Sequence, residues 1–147
     1  MSKHAAATTV SPELTNLHHY EELDARPRLR GRIHLGAAFV SVAALAWLVG
    51  VAATPRAELA AWVYGLSAIA CYATSGIYHV FARSPVARRR WRQADHAMIY
   101  VLIAGTATPM YLLAASGMWR WVMFGLMWAG AGVGITLKLV SIERFRV

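Results

Sequence analysis

The stretch SGIYHVFARSPVARRRWRQADHAMIYVLIAGTATP, residues 75–109, decides how the chain is to be read. Ser75 and His79 stand one helical turn apart at the end of one apolar segment. Arg83, Arg88, Arg89, Arg90 and Arg92 crowd the connection, and Asp95-His96 opens the next apolar segment. Ionisable residues at the edge of a membrane span are costly and mark function by default.

Composition fixes the class around this stretch. Of 147 residues, 58% are hydrophobic and 15% charged, too apolar for a soluble domain, in which about a quarter are charged. The net charge of +8 lies in short arginine blocks between apolar runs and makes no continuous basic face, so it speaks for orientation in a bilayer and against nucleic acid. The single Cys71 excludes an internal disulfide framework.

Four apolar segments are expected at about 33–53, 59–81, 94–115 and 119–140, each near the ~20 residues that a spanning helix needs. A span must satisfy its backbone hydrogen bonds internally, and no segment alternates as a barrel strand does. The fold class is all-α: a polytopic membrane protein with residues 33–147 as its transmembrane domain. Short connectors at 54–58 and 116–117 make their flanking helices antiparallel neighbours.

Residues 1–32 form a polar tail with no secretory signal ahead of the first apolar run. Ser11-Pro12-Glu13 has the form of a helix start, and Leu14, Leu17 and Tyr20 recur at a helical interval. The tail is read either as a short interfacial helix or as disordered, with His4, His18 and His19 solvated. Lys3, the arginines before the first span, the arginines of the central connection, and Lys138, Arg144 and Arg146 fall on one side. Only Arg56 and Arg120 fall on the other. The positive-inside rule makes the N-terminus and the central connection cytoplasmic in a multi-pass cell-membrane protein.

That topology brings His34, Ser75, His79, Asp95 and His96, from three helices, within about two turns of one interface. Each also has a plain reading. Ser75 can bond the carbonyl of Cys71 one turn back, and His34 and His79 can be interfacial with one wet nitrogen. Asp95 stands where an N-cap of the third helix would, and His96 points about 100° away from it. Together, a histidine ligand, a carboxylate to deprotonate water and an orienting hydroxyl are parts of a hydrolytic metal site. His79 is the best single ligand. A catalytic zinc takes three, so zinc is under-ligated on these residues.

Ser75-Gly76-Ile77-Tyr78-His79, Ser84-Pro85, Asp95-His96-Ala97-Met98-Ile99-Tyr100 and Ala104-Gly105-Thr106-Ala107-Thr108-Pro109 resemble the hemolysin III family, the bacterial branch related to the progestin and adipoQ receptors (PAQR). The stretch from Arg26 to His34 is similar to the start of the first span in many members. The likeness covers roughly residues 26–140. It implies a seven-helix protein of a bacterial inner membrane, with zinc held near the cytoplasmic side by a histidine like His79 and two more in an H-x3-H motif on the last helix. A serine like Ser75 and an aspartate like Asp95 complete that site, the aspartate being associated with a zinc-bound water. This chain carries four of the seven spans and lacks H-x3-H, so it is expected to be a fragment or a truncated product with a remnant of the site. The resemblance implies either a zinc-dependent hydrolase of lipid amides, or a related receptor, or a pore-forming hemolysin (cytolysis). An inactive remnant is the third reading. Gly130 and Gly134 form a GxxxG step able to support a homo-oligomer.

Overall fold

The computed structural model describes residues 28–144. The expected surface helix near residues 11–20 and the tail histidines lie outside the described residues. Four helices follow: α1 Arg28–Gly50, α2 Pro55–Phe81, α3 Pro85–Pro109 and α4 Gly117–Arg144. A wider π turn, Met110–Ala114, extends α3. The apolar spans are 22, 27, 30 and 24 residues long, each enough to cross a bilayer. No strand occurs among the described residues. The chain is an all-α, multi-pass membrane protein.

Two helix starts are set by side-chain caps. Thr54 Oγ1 accepts from the Ala57 amide at 3.1 Å with Pro55 at the first helical position. Ser84 Oγ accepts from the Ala87 amide at 3.1 Å, again followed by proline. The second cap moves the start of α3 to Pro85, well ahead of the 94 expected, and puts Arg88, Arg89, Arg90 and Arg92 on helix rather than in a loop. Arginine stems lie along apolar surface while the guanidinium reaches water, so a helix can carry them into the interface. The α2–α3 connector shrinks to residues 82–84.

Pro109 has no amide hydrogen to give its own helix, and the π turn begins directly after it. Thr106 and Thr108 donate to Ile103 O at 2.9 Å and Ala104 O at 2.8 Å, carbonyls of their own helix. Thr108, 1% exposed, also accepts from Trp128 Nε1 at 3.2 Å and so ties α3 to α4. Arg120 closes the far end of the π turn, donating from Nε and Nη2 to Ala115 O at 3.1 and 2.7 Å. The next turn is made by Gly117 at φ +57°, a left-handed conformation that costs glycine little.

Each helix packs on its neighbour in sequence. Among the described residues α1 touches neither α3 nor α4, so the four helices form an open row with α2 and α3 inside it. Small residues set the spacing: Gly31 lies against His79 and Val80, Gly76 against Leu35, Gly65 against Leu45, Gly105 against Ser67, and Gly134 beneath the Tyr100 ring. These pairs run in opposite directions along adjacent helices, which fixes the antiparallel register. Gly130 opens onto empty space, but Gly134 of the same GxxxG step already receives Tyr100 from within the chain. That step is therefore only half available to a second copy.

Burial separates inner from outer helices. Within the span windows, 44% of α2 is buried against 6% for each of α1 and α4. Phe39, Trp47, Leu126 and Leu137 are more than 60% exposed along the outer helices. Apolar surface costs about 25 cal/mol per Å² in water, so these faces belong against hydrocarbon. Trp47, Trp62, Trp119 and Trp121 gather at the end opposite the α3 arginines, as interfacial tryptophans do.

Candidate functional site

Register brings the polar residues to one level. The Gly31–His79 and Gly76–Leu35 contacts place His34 beside Ser75, and the Gly105–Ser67 contact places Asp95 level with Ile77, between Ser75 and His79. The four side chains lie within about one turn of each other along the helix axes, tighter than expected. They do not share one seam. Because α2 separates α1 from α3, His34 belongs to the α1–α2 seam and Asp95 to α3.

The best-defined contact joins His34 Nδ1 and Ser75 Oγ at 2.7 Å. Ser75 is 7% exposed. The carbonyl of Cys71 was the plain expectation for its hydroxyl, and its bond crosses to α1 instead. Ser67, two turns earlier, shows the alternative, donating to Val63 O at 2.7 Å. The imidazole of His34 lies 5.9 Å from the Tyr72 ring. Tyr72 was not foreseen as part of the site; its spacing of three residues from Ser75 was the available signal, since it places both on one helical face.

His79 packs its Cβ against Gly31, its ring centroid is 4.9 Å from that of Tyr78, and Nδ1 is buried. Asp95 is half-buried, within electrostatic reach of Cys71 on α2. Its expected N-cap role falls away, because Ser84 caps α3 and Asp95 stands about 15 Å further along the helix. His96 bonds back to its own helix, Nδ1 to Arg92 O at 2.7 Å. A donor to a carbonyl must carry the proton at Nδ1, so this ring is held as a helix-surface group.

Among the described residues no three His, Cys, Asp or Glu side chains converge on a point where a metal ion would sit. His34 Nδ1 is engaged by Ser75, and α2 stands between His34 and Asp95. A catalytic zinc takes about three protein ligands, so the described residues do not by themselves fit one. A hydrogen-bonded hydroxyl and imidazole, with a carboxylate and a second imidazole at the same level, can nevertheless take up, hold and release protons.

Cavities flank the site. One of about 540 Å³ is lined by Leu29, Arg30, Ile33 and His34, and one of about 440 Å³ lies between α2, α3 and α4, lined by apolar residues and Ser67. The first is an open hollow along α1 that reaches His34 and not Ser75, with Leu29 and Ile33 exposed beside Arg30.

The family model described as Haemolysin-III related matches residues 24–147. Hemolysin-3 of Bacillus cereus is 35% identical over 92 residues, which cover 63% of this chain and 42% of that protein. The Hemolysin-3 homolog of Bacillus subtilis strain 168 is 31% identical over 83 residues, covering 56% of this chain and 38% of that protein. The matched region thus spans about two fifths of each relative's length. No solved structure matches the chain. With the family model covering all four helices, the chain belongs to the haemolysin III family of multi-pass membrane proteins.

Proposed function

We propose that this chain provides part of a membrane-embedded hydrolytic site that acts on acyl bonds of lipids, amides or esters, at the arginine-rich end of the helices. The observation that carries the reading is the 2.7 Å bond between His34 Nδ1 and Ser75 Oγ, a pair able to move a proton in the seam between α1 and α2. Asp95 contributes a negative charge at the same level, and the arginines at the start of α3 favour anionic headgroups there. His79 is the residue this chain would offer to a metal. The charge asymmetry favours a cytoplasmic N-terminus.

The test is turnover of a fluorogenic lipid amide and of the matching ester by the chain in liposomes, with and without added zinc. Loss of turnover in Ser75→Ala and Asp95→Asn is the expected result, and turnover unchanged in both would sink the reading. A second reading, pore formation, draws on the printed names of the relatives and on the wide apolar faces of α1 and α4. Dye leakage from the same liposomes that persists in Asp95→Asn would favour it.

A further inference from the structure

We propose that the hollow between the end of α1, the start of α2 and the π turn is the seat of one phospholipid, whose acyl chain fills it and whose phosphate is held by Arg56 at its rim. The hollow has a volume of about 370 Å³. It lies at the end of the helices opposite the α3 arginines and shares no residue with the polar level of His34 and Ser75. Its origin is in the sequence. Ala52, Ala53, Ala57, Ala60 and Ala61 line it, and among the described residues α1 and the π turn on either side of α2 do not touch. A methyl group is too short to bridge that gap. Leu48 forms one wall and Leu113 the other.

Three observations select the occupant. Among the side chains of the lining only Tyr64 carries a polar atom. An ordered water takes about two to four polar partners, so hydrocarbon fills this space in preference to water. The hollow is also a short slot. On α2 it runs from Ala57 to Tyr64, about 10 Å, and it closes there, since Ala68, one turn further on the same face, is 7% exposed. A spanning partner helix, about 30 Å long, finds no groove beyond Tyr64, whereas the upper part of an acyl chain needs no more. The third observation is charge. Arg56 is exposed in the first turn of α2, next to Ala57 at the open end of the slot. Glu58, in the same turn, lies about 160° around the helix from it. Arg120, the other cation expected on that side, is turned back onto Ala115 O. A guanidinium beside the amides of a helix N-terminus matches a phosphate. Seated there, the acyl chain joins α1 to the π turn through hydrocarbon and fixes the spacing that the alanines leave open.

The test is native mass spectrometry of the full chain in detergent after incubation with a diacyl phosphatidylcholine, beside Ala57→Phe, Ala61→Leu and Arg56→Gln. The expected result is one lipid retained per chain. Ala57→Phe and Ala61→Leu, each of which fills the slot, abolish retention, Arg56→Gln weakens it about 5-fold, and Leu126→Phe on the exposed face of α4 leaves it unchanged. Circular dichroism confirms the helices of each variant. Where a variant fails to fold, a phosphatidylcholine with a diazirine in its acyl chain, photolysed on the unaltered chain, gives the position by peptide mapping, with adducts expected within residues 48–64 and 109–113. A folded chain that retains no lipid, retention unchanged in both slot-filling variants, or adducts confined to the outer faces of α1 and α4 overturns the proposal. A lipid-free dimer that both slot-filling variants dissociate also overturns it and assigns the hollow to a second copy. Retention at full strength in Arg56→Gln overturns the role of Arg56.

Discussion

Replacing Ser75 by alanine should destabilise the chain only while His34 remains. The two residues are 41 positions apart in sequence and meet across α1 and α2 at 2.7 Å, with Ser75 7% exposed. Removing either partner of a buried hydrogen bond costs about 1–3 kcal/mol, because the other is left desolvated. Inside membranes the coupling between hydrogen-bonded side chains is smaller, about 0.6 kcal/mol on average and about 1.7 at most. Burial of Ser75 and the short distance argue for the upper part of that range. The expected coupling, about 1–1.7 kcal/mol, corresponds to about a 5- to 16-fold change in the unfolding equilibrium. It is measured as a double-mutant cycle of Ser75→Ala, His34→Ala and the double variant, by reversible unfolding in bicelles. Energies that add to within about 0.3 kcal/mol would refute the bond as the link between α1 and α2.

Three further outcomes follow from the packing. Gly105→Ala should destabilise by about 1–3 kcal/mol, since its new Cβ would overlap the Ser67 side chain; Gly132→Ala, which meets open space, should be neutral or stabilising by up to about 1 kcal/mol, and bicelle unfolding compares them. Thr108→Val keeps the shape but takes the acceptor from Trp128 Nε1, so a loss of about 1–3 kcal/mol is expected, with a shift in tryptophan emission. Ser84→Ala removes the cap of α3 and should cost about 1 kcal/mol, read as faster amide exchange at Ala87.

Much of this architecture is legible in one dimension. Span number follows from the length of apolar runs, because a bilayer imposes a minimum, and Thr54-Pro55 marks the start of α2 by its own chemistry. Ser84-Pro85 carries the same signal for α3, but the arginines beyond it argue for water when read singly. Their stems let a helix continue, and once it does, Asp95 is an interior residue and no longer a cap. Depth was also readable: alternating topology brings His34, Ser75, His79 and Asp95 to one end. Lateral position was not, because periodicity gives no register between helices. Only the contacts of Gly31, Gly76 and Gly105 show that His34 meets Ser75 while Asp95 lies on the other flank of α2. Gly134 teaches the same lesson, since a GxxxG pattern does not reveal that Tyr100 of the same chain fills it.

We propose acyl hydrolysis at the polar level of the arginine-rich end. Its most direct test is the rate of fatty-acid release from a lipid amide and its ester by the chain in liposomes, beside Ser75→Ala, with dye retention followed in the same vesicles. The expected result is fatty-acid release from intact vesicles that falls at least ~100-fold in Ser75→Ala. Dye leakage without fatty-acid release, or release indifferent to Ser75→Ala, would contradict it.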